Sequence, residues 1–150
     1  MIVKLLCFIT ATGISLAVVS DFREARLKTT WNSHIANYTV DGNPATCGMT
    51  GFDDKPMVEI EFNNVRAFSS VRIRGDRKLP NIYIFAANTS QVLSKDKVRT
   101  DSCAHDEKAV DISGAGVNIP CILPVWGKIL ILASENQPAT HMSVCEVEVA

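Results

Sequence analysis

No stretch of this sequence carries a convincing apolar stripe at the 3.6-residue period, and that absence argues against a helical bundle. Neither sign of charge is in excess. Fifteen Lys and Arg stand against 16 Asp and Glu, a net charge of −1, so no bulk electrostatic reason exists for a nucleic-acid partner. Internal repeats and low-complexity segments are missing. No CxxC or HxxxH spacing occurs, so the five cysteines do not read as a zinc site. There is no Gly-x-Ser-x-Gly elbow, phosphate loop or metalloprotease signature. His34, His105 and His141 are scattered through polar surroundings, and Asp53-Asp54 reads as a solvated turn. A catalytic role is therefore not expected. What is present is a hydrophobic fraction of 47% in 150 residues, enough for the core of one domain.

Charge is nearly absent from the first 20 residues, where Lys4 stands alone ahead of the apolar run 5–19. Small residues, among them Thr10, Thr12, Gly13 and Ser15, relieve that run; Val18 and Ser20 suit cleavage before Asp21, and Ser15 with Ala17 offers an earlier site. This is the pattern of a secretory signal peptide over 1–20, with a mature domain at 21–150. An uncleaved membrane anchor is the rival, but the run is short for a span of ~20 residues and lacks a basic flank on its far side. The mature chain is then expected to be secreted and to carry no transmembrane segment. Cys7 leaves with the signal, and Cys47, Cys103, Cys121 and Cys145 remain. An even count in an oxidising compartment implies two disulfides, with three pairings open. Two sequons, Asn37-Tyr38-Thr39 and Asn88-Thr89-Ser90, mark glycosylation acceptors suited to the same compartment.

Residues 21–34 read as polar and irregular. After them come short β-type runs. Met57-Val58-Glu59-Ile60-Glu61-Phe62 alternates apolar and acidic positions, and Val71-Arg72-Ile73-Arg74 alternates apolar and basic ones. Ile82-Tyr83-Ile84-Phe85-Ala86-Ala87 is nearly continuous and reads as central. Lys128-Ile129-Leu130-Ile131-Leu132 and Val144-Cys145-Glu146-Val147-Glu148-Val149 complete the set. Turn signals fall at Asp41-Gly42-Asn43-Pro44, Asn63-Asn64, Gly75-Asp76, Leu79-Pro80, Gly114-Ala115-Gly116 and Asn136-Gln137-Pro138. Many short strands so punctuated predict a sandwich or jelly roll.

Three blocks in order give the chain a family resemblance. They are Val40-Asp41-Gly42-Asn43 with Thr46-Cys47; Val71-Arg72-Ile73 leading through Arg77-Lys78-Leu79 to Ile82; and Gly127-Lys128-Ile129-Leu130 before the Cys-Glu-Val-Glu-Val ending. Over about residues 30–149 the sequence resembles the F-type lectins (fucolectins) and related discoidin-like domains. The resemblance implies an eight-stranded discoidin-like jelly-roll sandwich, all-β, closed by disulfides Cys47–Cys145 and Cys103–Cys121. It also implies a structural Ca²⁺ held by Asp41, Asn43, Thr46, Glu146 and the backbone carbonyls of Tyr38 and Cys145. Hard oxygen donors suit that ion, and Asp41 with Glu146 would offset its charge.

The family grips fucose with one His and two basic residues. Met49 stands here in the place of the His and cannot donate a hydrogen bond. Lys78 matches the second basic position, and Arg74 or Arg77 the first. The family's tryptophan pair is replaced by Met57-Val58. Arg72, Arg74, Arg77 and Lys78 together read as a local basic patch. Two functions follow from the resemblance. One is a carbohydrate-binding, lectin-like protein for fucose-type or anionic glycans, with glycans or glycoproteins at cell surfaces as partners and Arg74, Arg77 and Lys78 as contacts. The other is an extracellular interaction module that has lost sugar binding and contacts protein or phospholipid surfaces. Arg74-Gly75-Asp76 also spells an integrin tripeptide, read here as lying in a turn.

Overall fold

Alternation of buried and outward positions dictates the architecture of a computed structural model that describes residues 21–31, 33–91, 102–106, 108–135 and 139–150. The signal-peptide reading of 1–20 and the turn at 136–138 lie outside these residues. The described strands are β1 (Phe22–Leu27), β2 (Gly48–Met49), β3 (Met57–Gly75), β4 (Lys78–Leu79), β5 (Ile82–Ala87), β6 (Ser102–Asp106), β7 (Val110–Asp111), β8 (Val117–Ser134) and β9 (Ser143–Val149). The only helical turn among them is a 3₁₀ helix at Ala36–Thr39, and no described helix is long and apolar enough to cross a membrane.

Two expectations need correction. Residues 21–34 are not irregular throughout, because β1 pairs antiparallel with β3 from Phe22↔Phe62 to Leu27↔Val58. Its Arg23 and Glu24 are exposed, Arg26 packs against Glu61, and Ala25 and Leu27 reach the core. Asn63-Asn64 is not a turn either. It sits in a bulge, and β3 continues to Gly75 as one strand of 19 residues. β8 behaves likewise over 18 residues. Each of these long strands therefore serves both layers. The first half of β3 pairs with the second half of β8, and the second half of β3 lies between β9 and the first half of β8. The order β2-β9-β3-β8-β5-β6 thus folds over on itself as an antiparallel jelly-roll sandwich, with β5 inside the sheet rather than at its edge.

Between the layers lie Ile60, Phe62, Phe68, Ile73, Ile84, Leu130 and Leu132, all 2% exposed or less. Losing the side chain of any of the large aliphatics there costs about 2–5 kcal/mol. Glu59 and Glu61, on the opposite face of β3, are buried as well. Glu61 is clamped by Arg26 at 2.6 Å, with Arg23 and Lys128 each at 3.2 Å. The Glu59 carboxylate accepts hydrogen bonds from Ser90 Oγ (2.6 Å) and from the backbone N–H of Gln91.

Both disulfides implied by the resemblance are present. Cys47–Cys145 closes a separation of 98 residues and Cys103–Cys121 one of 18. In the chain-entropy picture they stabilise by about 4–5 and ~3 kcal/mol.

Candidate functional site

The turn after the 3₁₀ helix is built by its own side chains. Gly42 takes φ +74°, which its missing Cβ allows. The N–H of Asn43 donates to Asp41 Oδ1 at 2.9 Å, and that of Ala45 to Asn43 Oδ1 at 3.1 Å. Thr46 Oγ1 lies 2.5 Å from Asp41 Oδ2. One residue later, Cys47 bonds this turn to Cys145 of β9, next to Glu146. A cleft of about 150 Å³ lies between turn and strand, walled by Val40, Gly42, Pro44, Arg74, Glu146, Val147 and Glu148.

Glu146 Oε2 is buried in this region without a hydrogen-bond partner. Burial first, then the Asp41 carboxylate, pushes the Glu146 carboxyl up to about 7, against a hydrogen bond from the Gly42 backbone and the charge of Arg74. Two carboxylates that repel one another, one with an unmatched oxygen, make a place short of a cation. The donor set fits a hard ion, since Asn43 and Thr46 bring further side-chain oxygens. Among the described residues no group of three or more His, Cys, Asp or Glu forms.

On the other side of Thr46 and Cys47 opens a hollow of about 230 Å³. His34, Tyr38, Ala45, Thr46, Cys47, Met49, Asp76 and Ser143 line it. Its imidazole has a fixed tautomer. His34 Nδ1 lies 3.2 Å from the Cys47 carbonyl, which can only accept, so Nδ1 carries the proton and neutral His34 offers Nε2 as an acceptor. Ser143 is fully buried and its Oγ has no hydrogen-bond partner. At the same end of the sandwich Trp31, Phe52 and His141 form an aromatic cluster. Phe52 stands edge-on to Trp31 at 5.6 Å and to His141 at 5.1 Å, and the Trp31 and His141 rings stack at 6.4 Å. Trp31 and Phe52 remain 41% and 61% exposed, an unusual cost for aromatic rings unless something covers them. Burial, and next the Arg77 charge, hold the His141 imidazole below its ordinary pKa, with Asp76 opposing.

The basic residues read from the sequence differ in their partners. Arg77 Nε donates to Asp76 Oδ1 at 3.0 Å and stands near His141. Arg74, with Arg72, points at the Ala115 carbonyl and walls the other cleft. Lys78 is exposed on β4, opposite Asp111 of β7. The integrin tripeptide is not presented in a turn. Arg74 and Gly75 end β3, and Gly75 is buried where a Cβ would strike Ile112 and the Ser143 carbonyl. Nor are the histidines scattered, since His34 and His141 both reach this end of the sandwich. Neither these nor Trp31, Phe52 and Ser143 announce themselves in the sequence. Only the fold joins segments 31–34, 47–52, 76–77 and 141–143.

No family model matches the chain, and no curated protein does. Solved structures do, at low identity. The family 32 carbohydrate-binding module of C. perfringens NanJ, solved in complex with galactose, matches with a TM-score of 0.69 at 16% identity, over 88% of this chain and 95% of that one. A module of the same family from AlyQ, in complex with 4,5-unsaturated mannuronic acid, gives 0.68 at 12%, over 87% and 95%. A chitosan-binding module from a Paenibacillus sp. IK-5 chitosanase/glucanase, in complex with chitotriose, gives 0.67 at 16%, over 84% and 94%. The chain is thus an all-β protein of the discoidin-like jelly-roll class, the fold these modules share.

Proposed function

We propose that this chain is a secreted, non-catalytic carbohydrate-binding protein of lectin type, taking glycans at cell surfaces in the hollow beside Cys47–Cys145. The observation that carries this reading is the hollow lined by His34, Met49 and Asp76 at the same end of the sandwich as the exposed rings of Trp31 and Phe52. Exposed Trp31 and Phe52 supply π-faces for the apolar face of a pyranose. Arg77 at the rim supplies donors for a hydroxyl or a carboxylate. The matched modules, solved with a neutral sugar and with a uronic acid, support the ligand class.

Calcium belongs to the same reading. Asp41, Asn43, Thr46 and Glu146, with the carbonyls of Tyr38 and Cys145, would hold it, and its charge would relieve the repulsion between the two carboxylates. Bound there, it stiffens the turn whose far side forms the wall of the hollow.

Galactose, fucose and an oligomannuronate are the probes. The chain has three histidines, so their imidazole proton resonances give a direct readout. Saturable shifts of His34 and His141, with His105 unmoved, are expected for at least one probe. Shifts at none of them, or at His105 alone, would place the site elsewhere. Neutral monosaccharides should bind weakly, at about 1 mM, and the oligomannuronate more tightly at low salt.

A further inference from the structure

The described cysteines are all closed into disulfides, so the reduced sulfur of the described residues sits in methionine. Met57 is 7% exposed, in a cluster with Phe85 and Ile131, and Met142 is fully buried in the main core. Met49 differs from both. It is half-buried and lines the hollow with His34 and Asp76. Among the described residues it is the one thioether in a wall that solvent reaches.

The backbone fixes that placement. Burial alternates through residues 48–50, so Gly48 and Thr50 turn inward while Met49 turns to the hollow. Position 48 needs glycine, since a Cβ there would come within 2.7 Å of Thr39 Cγ2 and 3.0 Å of the Ile35 carbonyl. Met49 pairs with Ser143 of β9, and its carbonyl accepts from the Trp31 N–H at 2.9 Å. Main-chain bonds therefore hold the thioether in the wall and leave its sulfur free to react. A thioether lone pair attacks one oxygen of hydrogen peroxide. The S–O bond forms as the O–O bond breaks, sulfur is oxidised by two electrons, the transferred oxygen loses its proton, and the other oxygen leaves as water. The product is a sulfoxide, polar where the thioether was apolar. The hollow already presents two acceptors, the Asp76 carboxylate and Nε2 of neutral His34. A sulfoxide oxygen adds a third, which repels a ligand carboxylate or ring oxygen and removes an apolar contact.

We propose that Met49 is an oxidation site through which a peroxide turns the hollow off. Met49 is converted ahead of Met57 and Met142, and its sulfoxide weakens the hold on sugar without unfolding the domain. The switch rests on the reading of the hollow as the sugar site, whereas the order of oxidation rests on burial alone.

The test treats the folded, disulfide-bonded protein with graded hydrogen peroxide and maps its peptides by mass. The Met49 peptide should gain one oxygen before those of Met57 and Met142, with the melting temperature kept. Oligomannuronate, followed through the His34 and His141 resonances, should then bind about tenfold more weakly. A Met49→Leu variant should bind it equally before and after the same dose. Oxidation of Met57 or Met142 as early as Met49, an affinity unchanged once Met49 is fully converted, or a peroxide loss that Met49→Leu shares would each overturn the proposal. Untreated protein that binds none of galactose, fucose and oligomannuronate would sink the sugar reading and the switch with it, while the masses would still decide the oxidation site.

Discussion

The backbone N–H of Met49 donates to the carbonyl of His34 at 3.2 Å. That bond sets an imidazole beside position 49, where the family resemblance implies one. His34 and Met49 line the same hollow, so one aperture presents a polar ring and an apolar thioether side by side. His34→Ala should weaken sugar binding by about tenfold, one hydrogen bond's worth of roughly 1–1.5 kcal/mol, without lowering the melting temperature much. Titration calorimetry beside a thermal melt checks both halves. An affinity that survives the change would move the imidazole out of the site.

Calcium should act on stability before it acts on sugar. A ligand that binds only the folded state stabilises by about 2.7 kcal/mol at a hundredfold excess over its Kd, several degrees in melting temperature for a chain of this size. Chelator should remove that increment from the parental protein, and Asp41→Ala or Glu146→Gln should leave no increment to remove. Scanning calorimetry with and without the ion decides it. Identical melts in calcium and chelator would mean that Asp41 and Asn43 do no more than shape their turn.

Acid should unfold the protein through Glu61. The Arg26 hydrogen bond first, then those of the other cations around it, hold its carboxyl below the ordinary glutamate value of 4.5. A depressed folded-state pKa contributes stability that is fully present above the unfolded value and is lost as pH falls through the folded one. In calcium-free buffer urea midpoints should rise as pH falls from about 7 toward 4.5, where the raised Glu146 carboxyl takes up its proton, and then drop below the ordinary glutamate range as Glu61 is protonated. Glu61→Gln should flatten part of that drop and lower stability at neutral pH, since it leaves Arg26 buried against a weaker partner. A drop below pH 4.5 that Glu61→Gln leaves unchanged would take this group out of the account.

Much of the scaffold was legible in the residues themselves. Ile82 to Ala87 and Val144 to Val149 read as strands because their apolar runs are short and bounded by turn residues, and β5 has those same limits. The two disulfides followed from the resemblance, not from spacing. The errors share one cause, which is that local signals cannot see the second layer. Asn63-Asn64 looks like a turn, yet it rides in a bulge because Glu61 and Arg66 are both held by β8. Residues 22–27 look irregular because their charges are visible in the sequence and their partner Glu61 is not. The hollow was less legible still. The resemblance points to Arg77 as one of two alternatives, whereas His34, His141, Trp31, Phe52 and Ser143 lie in segments up to about a hundred residues apart that only the fold and Cys47–Cys145 bring together.

Glycan recognition through the hollow is tested most directly by a glycan array probed with the parental protein and with a His34→Ala, Arg77→Ala double variant of equal melting temperature. The expected result is a defined set of bound glycans, richer in anionic than in neutral members, that the double variant loses. An array without signal, or one on which the double variant binds as well as the parent, would contradict it.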